Sequence, residues 1–390
     1  MAWVEAKGSK WRGCYRDASG VIRKTPSDTS KRRALKVAQD KEAEIRNGTW
    51  FDPSAGNKTL SSYFHEDWLP NRTGEKNTLL SYASNFRSTI EPHLGELSLK
   101  RINTGIVQRW IKALEADMEP VTIRSHYRTL ATILGATKGV SAVRDGLIQK
   151  SPCQGITLPP VDEREVSIYN IGDFKRLVAA ASESPESWLL PIMALASESG
   201  MRWGELMGLH VSDFSRDFRI VTVNTTVIEI GSKNTGNGSP YELKKRPKGR
   251  KPRRFAISED AAEVVIGVVK SCQLFPADRL FSKLNKEGLP IRTEAWPTGL
   301  PYGRSHQRAA WGRIHERSGV QRRRFHDLRG AHISWLLAGG ADIATVMKRA
   351  GHRQMATTQR YVDALDDADL RALEALAATK ARTVSRFFDA

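Results

Sequence analysis

Hydrophobic and polar positions alternate along this chain in three successive ways. Over residues 1–52 the period is short. Trp3–Ala6, Lys10–Tyr15 and Val21–Lys24 read as strands separated by turns at Gly8 and at Asp17-Ala18-Ser19-Gly20. A helix is predicted from about Ser30 to Arg46, with Ala34, Val37, Ala38 and Ile45 facing inward. The module ends near Pro53, and Ser54–Lys58 reads as a linker.

Over residues 59–157 the period becomes helical. Leu60, Tyr63, Phe64, Trp68 and Leu69 mark a first helix that Pro70 is expected to close, and Asn77–Ile90 a second, broken by Pro92 and Gly95. Ile106, Val107, Trp110, Ile111 and Leu114 stripe a third helix with Thr104 as its cap. Val121–Leu134 makes a fourth, Asp145–Ile148 starts a short turn before Pro152, and Pro159–Asp162 reads as a second linker.

From Arg164 onward helices flank a strand-rich patch. Ile168–Ala181 and Trp188–Ser197 are amphipathic, and Gly200 is placed to end the latter in a left-handed cap, with a new helix near Trp203. Arg219–Asn224 and Thr226–Ile230 are β-branched and alternate as strands do. Tyr241–Lys245 and Arg253–Ile257 are expected to pair as a hairpin around Pro247-Lys248-Gly249. A helix opens at Phe325–Arg329 and stops at Gly339-Gly340; the next runs to Gly351, and a last one beginning at Thr357 or Thr358 carries Tyr361. The predicted organisation is therefore a small α+β domain (1–53), an all-α domain (58–158), and a mainly-α domain with a small antiparallel sheet and a C-terminal tail (164–390). In that tail Asp363, Asp366, Asp367 and Asp369 precede Leu370, Leu373 and Leu376 at helical spacing, a segment suited to docking on a neighbouring subunit or on its own domain.

Charge narrows the partners. Lys+Arg 61 against Asp+Glu 43 leaves +18, which favours polyanions, nucleic acid ahead of membranes. No apolar run approaches the roughly 18–20 residues needed to cross a bilayer, and the start MAWVEAKGSKWRG lacks a secretory apolar stretch. Cys14, Cys153 and Cys272 are too scattered for a disulfide framework or a zinc site, which points to a reducing cytoplasm. Lys10, Arg12 and Arg23 belong to a basic first module expected to face DNA, and Arg72, Lys76, Arg87, Arg109, Lys112, Arg124 and Arg128 to a clamp on a duplex. Lys244, Lys245, Arg246, Lys248, Arg250, Lys251, Arg253 and Arg254 have no acid among them, a density expected of a DNA-contacting hairpin.

His326 and Arg329, three apart, share a helix face at a helix start, where free N–H groups and the dipole favour a phosphate. A guanidinium can hold two phosphate oxygens, and an imidazole can exchange a proton near neutral pH. His332, beside Leu328 and Trp335, reads as structural, and His352 lies just past Gly351. A lone tyrosine such as Tyr361 is ordinarily a core or rim residue, but its closeness in sequence to His326, Arg329 and His352 makes it a candidate nucleophile.

At these residues the chain resembles the tyrosine recombinases, or integrases, of phages and mobile elements. Ser199-Gly200-Met201-Arg202-Trp203-Gly204-Glu205-Leu206 resembles the family's first arginine motif, with Arg202 as the phosphate-binding arginine and Glu205 as its buttressing acid. Pro247-Lys248 resembles the hairpin bearing the family's lysine, with Lys245 and Lys251 as neighbouring alternatives. His326-Asp327-Leu328-Arg329, Gly351-His352 and Thr358-Gln359-Arg360-Tyr361 are similar to the remaining motifs. Ala350 stands where a larger apolar residue is usual, which is expected to loosen the packing beneath His352.

The resemblance implies the DNA breaking-rejoining fold: an arm-binding α+β domain, an all-α core-binding domain and a mainly-α catalytic domain. It implies attack by Tyr361 on a scissile phosphate to give a 3′-phosphotyrosyl link, with no ATP, metal or other cofactor. Partners would be double-stranded DNA at crossover and arm-type sites, a homotetramer passing through a Holliday junction, a directionality factor and a host DNA-bending protein. Phage or prophage integration and excision on the bacterial nucleoid would be the setting. A non-catalytic regulator using Asp342–Tyr361 as a helix-turn-helix leaves Arg202, Lys248 and His326 unexplained, and a type IB topoisomerase does not call for the separate N-terminal module.

Overall fold

A computed structural model of the chain describes residues 1–52, 54–135, 139–161, 168–236, 238–245, 252–352 and 354–362. It divides into two compact units, Met1–Asp162 and Glu163–Ala390.

The first unit opens on an antiparallel sheet of β1 (Trp3–Lys7), β2 (Lys10–Arg16) and β3 (Ile22–Asp28), in that order, with Trp3 opposite Cys14. Helix α1 (Lys31–Arg46) packs on it, capped by Ser30, whose side chain accepts from the Arg33 N–H. Ala34 and Ala38 are buried, but Val37, expected inside, is exposed. The helix lies so close that only its alanine row meets the sheet, and Val37 falls outside that row.

Residues 60–71 form one helical run: α2 (Leu60–Ser62), a π-helical stretch Tyr63–Trp68, and α3 (Leu69–Asn71). Pro70 therefore does not close the helix at Leu69. It sits in the first turn of α3 behind the wider stretch, where its missing N–H is tolerated. The same arrangement carries the chain through Pro92: α4 (Lys76–Asn85) is followed by a π-helical Phe86–Ile90 and by α5 (Glu91–Leu94). Helix α6 (Thr104–Leu114) is capped by Asn103 rather than Thr104, because the Asn103 side chain accepts from the Ile106 N–H. Helix α7 (Pro120–Leu134) completes the group, whose core includes Leu60, Phe64, Trp68, Phe86, Ile111 and Leu130, with Phe64 stacked on Phe86 at 3.7 Å. Two of the expected clamp arginines serve the fold instead: Arg72 lies over the Trp68 ring, and Arg124 donates to the Pro159 carbonyl. Lys76, Arg87, Arg109, Lys112 and Arg128 are exposed.

The second unit starts with α8 (Ile171–Ser182), capped by Asn170, and α9 (Leu190–Ser199), which ends at Gly200 with φ 61°. The short α10 (Trp203–Leu206) follows. Strands β4 (Ile220–Val223) and β5 (Thr225–Glu229) run nearly end to end, and β6 (Tyr241–Lys245) pairs with β5 while β7 (Arg253–Ala256) pairs with β4. The expected β6–β7 hairpin is thus corrected. The alternating stretch from Ile220 to Glu229 is split at Asn224 into two strands, and each takes one of the later strands into its own two-stranded sheet. Lys245 faces Thr225 and Arg253 faces Val223, and the basic segment lies between them in sequence. Residues 246–251 of that segment, including Lys248, Arg250 and Lys251, lie outside the described residues, as does the acidic tail beyond position 362.

Helices α11 (Glu259–Ser271), α12 (Arg304–Ser318), α13 (Asp327–Ala338), α14 (Ile343–Ala350) and α15 (Ala356–Val362) complete the unit. Its main core joins α8, α9, α11, α12 and the start of α13 through residues such as Leu177, Leu195, Val265, Trp311 and Leu328. A smaller cluster of Ile333, Val346 and Ala350 holds α13 to α14, with Tyr361 packed against it. Ala350 is fully buried. Among the described residues no helix is long and apolar enough to cross a membrane, and no group of side chains is arranged to hold a metal ion.

Candidate active site

The site is built where three helix ends meet. Gly200 closes α9 in the left-handed region, and the chain turns extended at Arg202 before α10 begins. Glu205, in the first turn of α10, accepts from the Arg202 N–H at 2.9 Å and from its guanidinium at 3.2 Å. A second arginine, Arg253, donates to the same carboxylate at 2.8 Å. Burial alone would raise the Glu205 pKa, but the neighbouring Arg253 and Arg202 outweigh it and hold the group below the ordinary carboxylate range. Glu205 therefore stays ionised and fixes the Arg202 side chain, which remains about one-third exposed.

Arg329 projects from α13 and is almost fully buried. Its two terminal nitrogens donate to the carbonyls of Gly200 and Ala350, tying together the ends of α9 and α14. Burial, and then the charge of Arg202, push its pKa down to about 9, which leaves it cationic at neutral pH. His326 forms the N-cap of α13. The residue is exposed, yet partial withdrawal of its imidazole from water and the charges of Arg329 and Arg202 lower its pKa, so the neutral imidazole prevails at pH 7. Arg324 clamps Asp327 through its backbone N–H and its guanidinium, both at 2.9 Å, which fixes the segment ahead of the cap.

Gly351 ends α14 at φ 68°, and a Cβ there would lie 2.4 Å from a terminal nitrogen of Arg253, so the turn rests directly on that guanidinium. His352 follows, its Nδ1 hydrogen-bonded to the buried Thr358 hydroxyl of α15 at 2.8 Å. Tyr361, on the same helix, lays its ring over Gly330: a Cβ at 330 would sit 3.2 Å from the ring edge and 3.5 Å from the hydroxyl oxygen. Gly330 adjoins Arg329, and the Tyr361 hydroxyl is within electrostatic reach of both Arg329 and Arg324. Arg202, Glu205, His326, Arg329 and Tyr361 are thus brought together, with His352 on the adjoining turn. His332 is buried, its Nδ1 bonded to the Ser197 carbonyl and its Nε2 accepting from Arg349; burial drives its pKa to about 4, and it is a neutral framework group.

The expected DNA contacts separate into classes. Lys10, Lys245 and Arg254 are exposed, and Lys244 and Arg12 are half-buried. Arg23 is held by Asp17 and Asp52, each at 2.7 Å, so two carboxylates occupy its fork. Arg253 is a correction: its side chain is 11% exposed and engaged with Glu205 and the Ala350 carbonyl, because strand pairing with Val223 turns it inward. Charge density in the sequence carries no sign of that direction.

Sequence reasoning missed a basin of about 670 Å³ whose lining includes Arg202, Arg304, Arg308, Arg322, Arg324 and His326. Among the described residues lining it none is acidic, and Arg304, Arg308, Arg322 and Arg324 are exposed. The available signal was the i, i+4 spacing of Arg304 and Arg308 together with the run Arg322-Arg323-Arg324 just ahead of His326.

A cationic pocket with a buttressed arginine, a neutral imidazole and an adjacent phenol is suited to phosphoryl transfer from DNA. Comparison with known proteins agrees. Residues 172–367 match the phage integrase family, and residues 59–114 match the N-terminal SAM-like domain of phage integrases. The chain belongs to the phage integrase family; it is a tyrosine recombinase, an enzyme of site-specific recombination that breaks and rejoins DNA strands. It is 26% identical over 320 residues to the tyrosine recombinase XerD of Rickettsia conorii, covering 76% of this chain and 92% of that protein. Its fold is similar to that of the Tn1549 transposon integrase in complex with transposon right end DNA (TM-score 0.63, 18% identity, 82% of this chain and 100% of that one). It is also similar to a lambda integrase tetramer bound to a Holliday junction (TM-score 0.55, 17% identity, 92% and 94%).

Proposed function

We propose that Tyr361 is the nucleophile and that Arg202, Lys248, His326, Arg329 and His352 complete the catalytic set, with Glu205 supporting Arg202. The observation that carries this reading is the Tyr361 ring on Gly330, one residue from Arg329 and on the helix that His326 caps. The phenolic oxygen attacks the scissile phosphorus, forming a 3′-phosphotyrosyl ester and releasing a 5′-hydroxyl. Arg202 and Arg329 stabilise charge on the non-bridging oxygens. Lys248 protonates the departing 5′-oxygen, His326 assists as acid–base, and His352 hydrogen-bonds the transition state. Attack by a partner strand's 5′-hydroxyl reverses the step, and the energy kept in the ester makes ATP unnecessary.

The arginine basin supports double-stranded DNA as the partner beside the reacting phosphate, since exposed guanidiniums around one cavity neutralise successive phosphates. The lambda integrase tetramer on a Holliday junction supports a homotetramer that exchanges strands through such a junction. The sheet-and-helix module at 1–53 would hold arm-type sites through Lys10 and Arg12, the helices of 58–158 and the catalytic domain 164–390 would close on the crossover site, and Lys244, Lys245, Arg250, Lys251 and Arg254 would add contacts. Integration and excision of a phage or prophage in the bacterial cytoplasm, with a directionality factor and a host bending protein, is the biology this layout fits best.

The test is to incubate the protein with a library of nicked duplexes, denature, and sequence the DNA that stays covalently attached. A single enriched site, and exchange of strands between two duplexes carrying it without ATP, are the expected results. Relaxation of plasmids lacking any such site would instead assign a topoisomerase, and absence of adducts a regulator.

A further inference from the structure

Arg253 follows a basic segment, but its guanidinium is spent inside the protein. One terminal nitrogen donates to Glu205 at 2.8 Å and the other to the Ala350 carbonyl at 3.0 Å, while Gly351 rests against it. Its Nε is buried without a hydrogen-bond partner. A buried cation with an unfilled donor is a poor device for stability alone, since an apolar side chain of similar length often fills such a place at no loss. What the fork does that an apolar chain cannot is span two acceptors on separate elements, α10 and the end of α14.

We propose that Arg253 is a positioning residue for strand cleavage: it holds Glu205 against Arg202 and, on the same guanidinium, the Ala350–Gly351 turn that presents His352. The inference rests on the roles proposed above for Arg202 and His352. Arg329 shares the Ala350 carbonyl, so the two arginines set that turn from opposite partners, Arg329 from Gly200 and Arg253 from Glu205. Removing Arg253 takes one contact from Glu205 and frees to move the carboxylate that aims Arg202.

The experiment compares the unaltered protein, R253M and R253K on a nicked duplex carrying the crossover site. DNA affinity, its salt dependence and the single-turnover cleavage rate are measured. A second substrate carries a methylphosphonate at the scissile position, which removes the single negative charge of the diester that Arg202 must meet. For R253M the expected result is unchanged affinity and salt slope, cleavage slower by about a hundredfold, and a deficit that contracts severalfold on the neutral substrate. R253K keeps the charge but reaches one acceptor at a time, and should recover part of the rate. A loss of affinity that matches the loss of rate, with a shallower salt slope, would make Arg253 a DNA contact and overturn the inference. So would cleavage at the unaltered rate, or a deficit of equal size on both substrates. If R253M does not fold, R253K decides by the same comparisons. Failure of the unaltered protein to cleave overturns the active-site reading itself, whereas the other outcomes overturn the role of Arg253 alone.

Discussion

Two groups of arginines stand side by side in the catalytic unit and do opposite work. Arg253, Arg329 and Arg349 are largely buried and donate to backbone carbonyls at the ends of helices and strands: Ala350, Gly200, Ala256 and Glu198. Arg304, Arg308, Arg322 and Arg324 are exposed around the basin. Helix ends leave unfilled carbonyls, and a guanidinium can fill two at once, so the buried set converts arginine chemistry into geometry. Arg304, Arg308 and Arg322 keep their charge facing solvent, where a phosphate can take it, whereas Arg324 shares its charge with Asp327. Arg202 stands at the boundary, braced by Glu205 on one side and about one-third exposed on the other.

The comparison breaks most severely if the acid that Arg202 and Arg253 share is neutralised. Glu205→Gln leaves Arg202 and Arg253 without their shared carboxylate, and should lower unfolding free energy by about 3 kcal/mol and slow cleavage steeply. Because the folded-state pKa of Glu205 is depressed, its contribution is full above the unfolded value and is lost as pH falls through the folded one. Chemical denaturation across pH should therefore show the two proteins far apart at neutrality and converging below about pH 4. A constant gap at every pH would contradict the bracing role.

Gly330→Ala touches the contact between α13 and Tyr361 and neither arginine group. The new methyl would meet the tyrosine ring at 3.2 Å, so cleavage should slow by about tenfold. The helix itself gains up to about 1 kcal/mol from alanine, and the thermal midpoint should hold or rise. Activity and stability moving together would argue against it.

Arg308→Ala should produce the smallest change. Stability should stay within about 0.5 kcal/mol, while the slope of log affinity against log salt falls by about 0.9 for one lost phosphate contact. An unaltered slope would remove Arg308 from the phosphate-binding set.

The candidate site positions were legible because they sit in short local patterns. Gly200 before Arg202, His326 three residues ahead of Arg329, and Gly351 before His352 are helix boundaries that composition marks. What stayed hidden depends on direction and distance. Arg253 reads as one more base in a charged run, and only the β4–β7 register turns it inward. Local hairpin logic paired β6 with β7, whereas the two preceding strands took one each, β5 pairing with β6 and β4 with β7. Pro70 and Pro92 read as breaks because a π-helical stretch ahead of each has no sequence period of its own to betray it. The basin draws on α10, α12 and the segment before α13, and no single stretch contains enough of it to stand out.

The proposed cleavage chemistry turns on Tyr361. Incubation of Tyr361→Phe with a nicked duplex bearing the crossover site, followed by denaturing electrophoresis, measures the covalent adduct directly. The account predicts that the adduct disappears while affinity for the duplex is unchanged, and that peptide mapping of the unaltered protein finds the 3′-phosphate on Tyr361. An adduct that persists in the phenylalanine variant would contradict it.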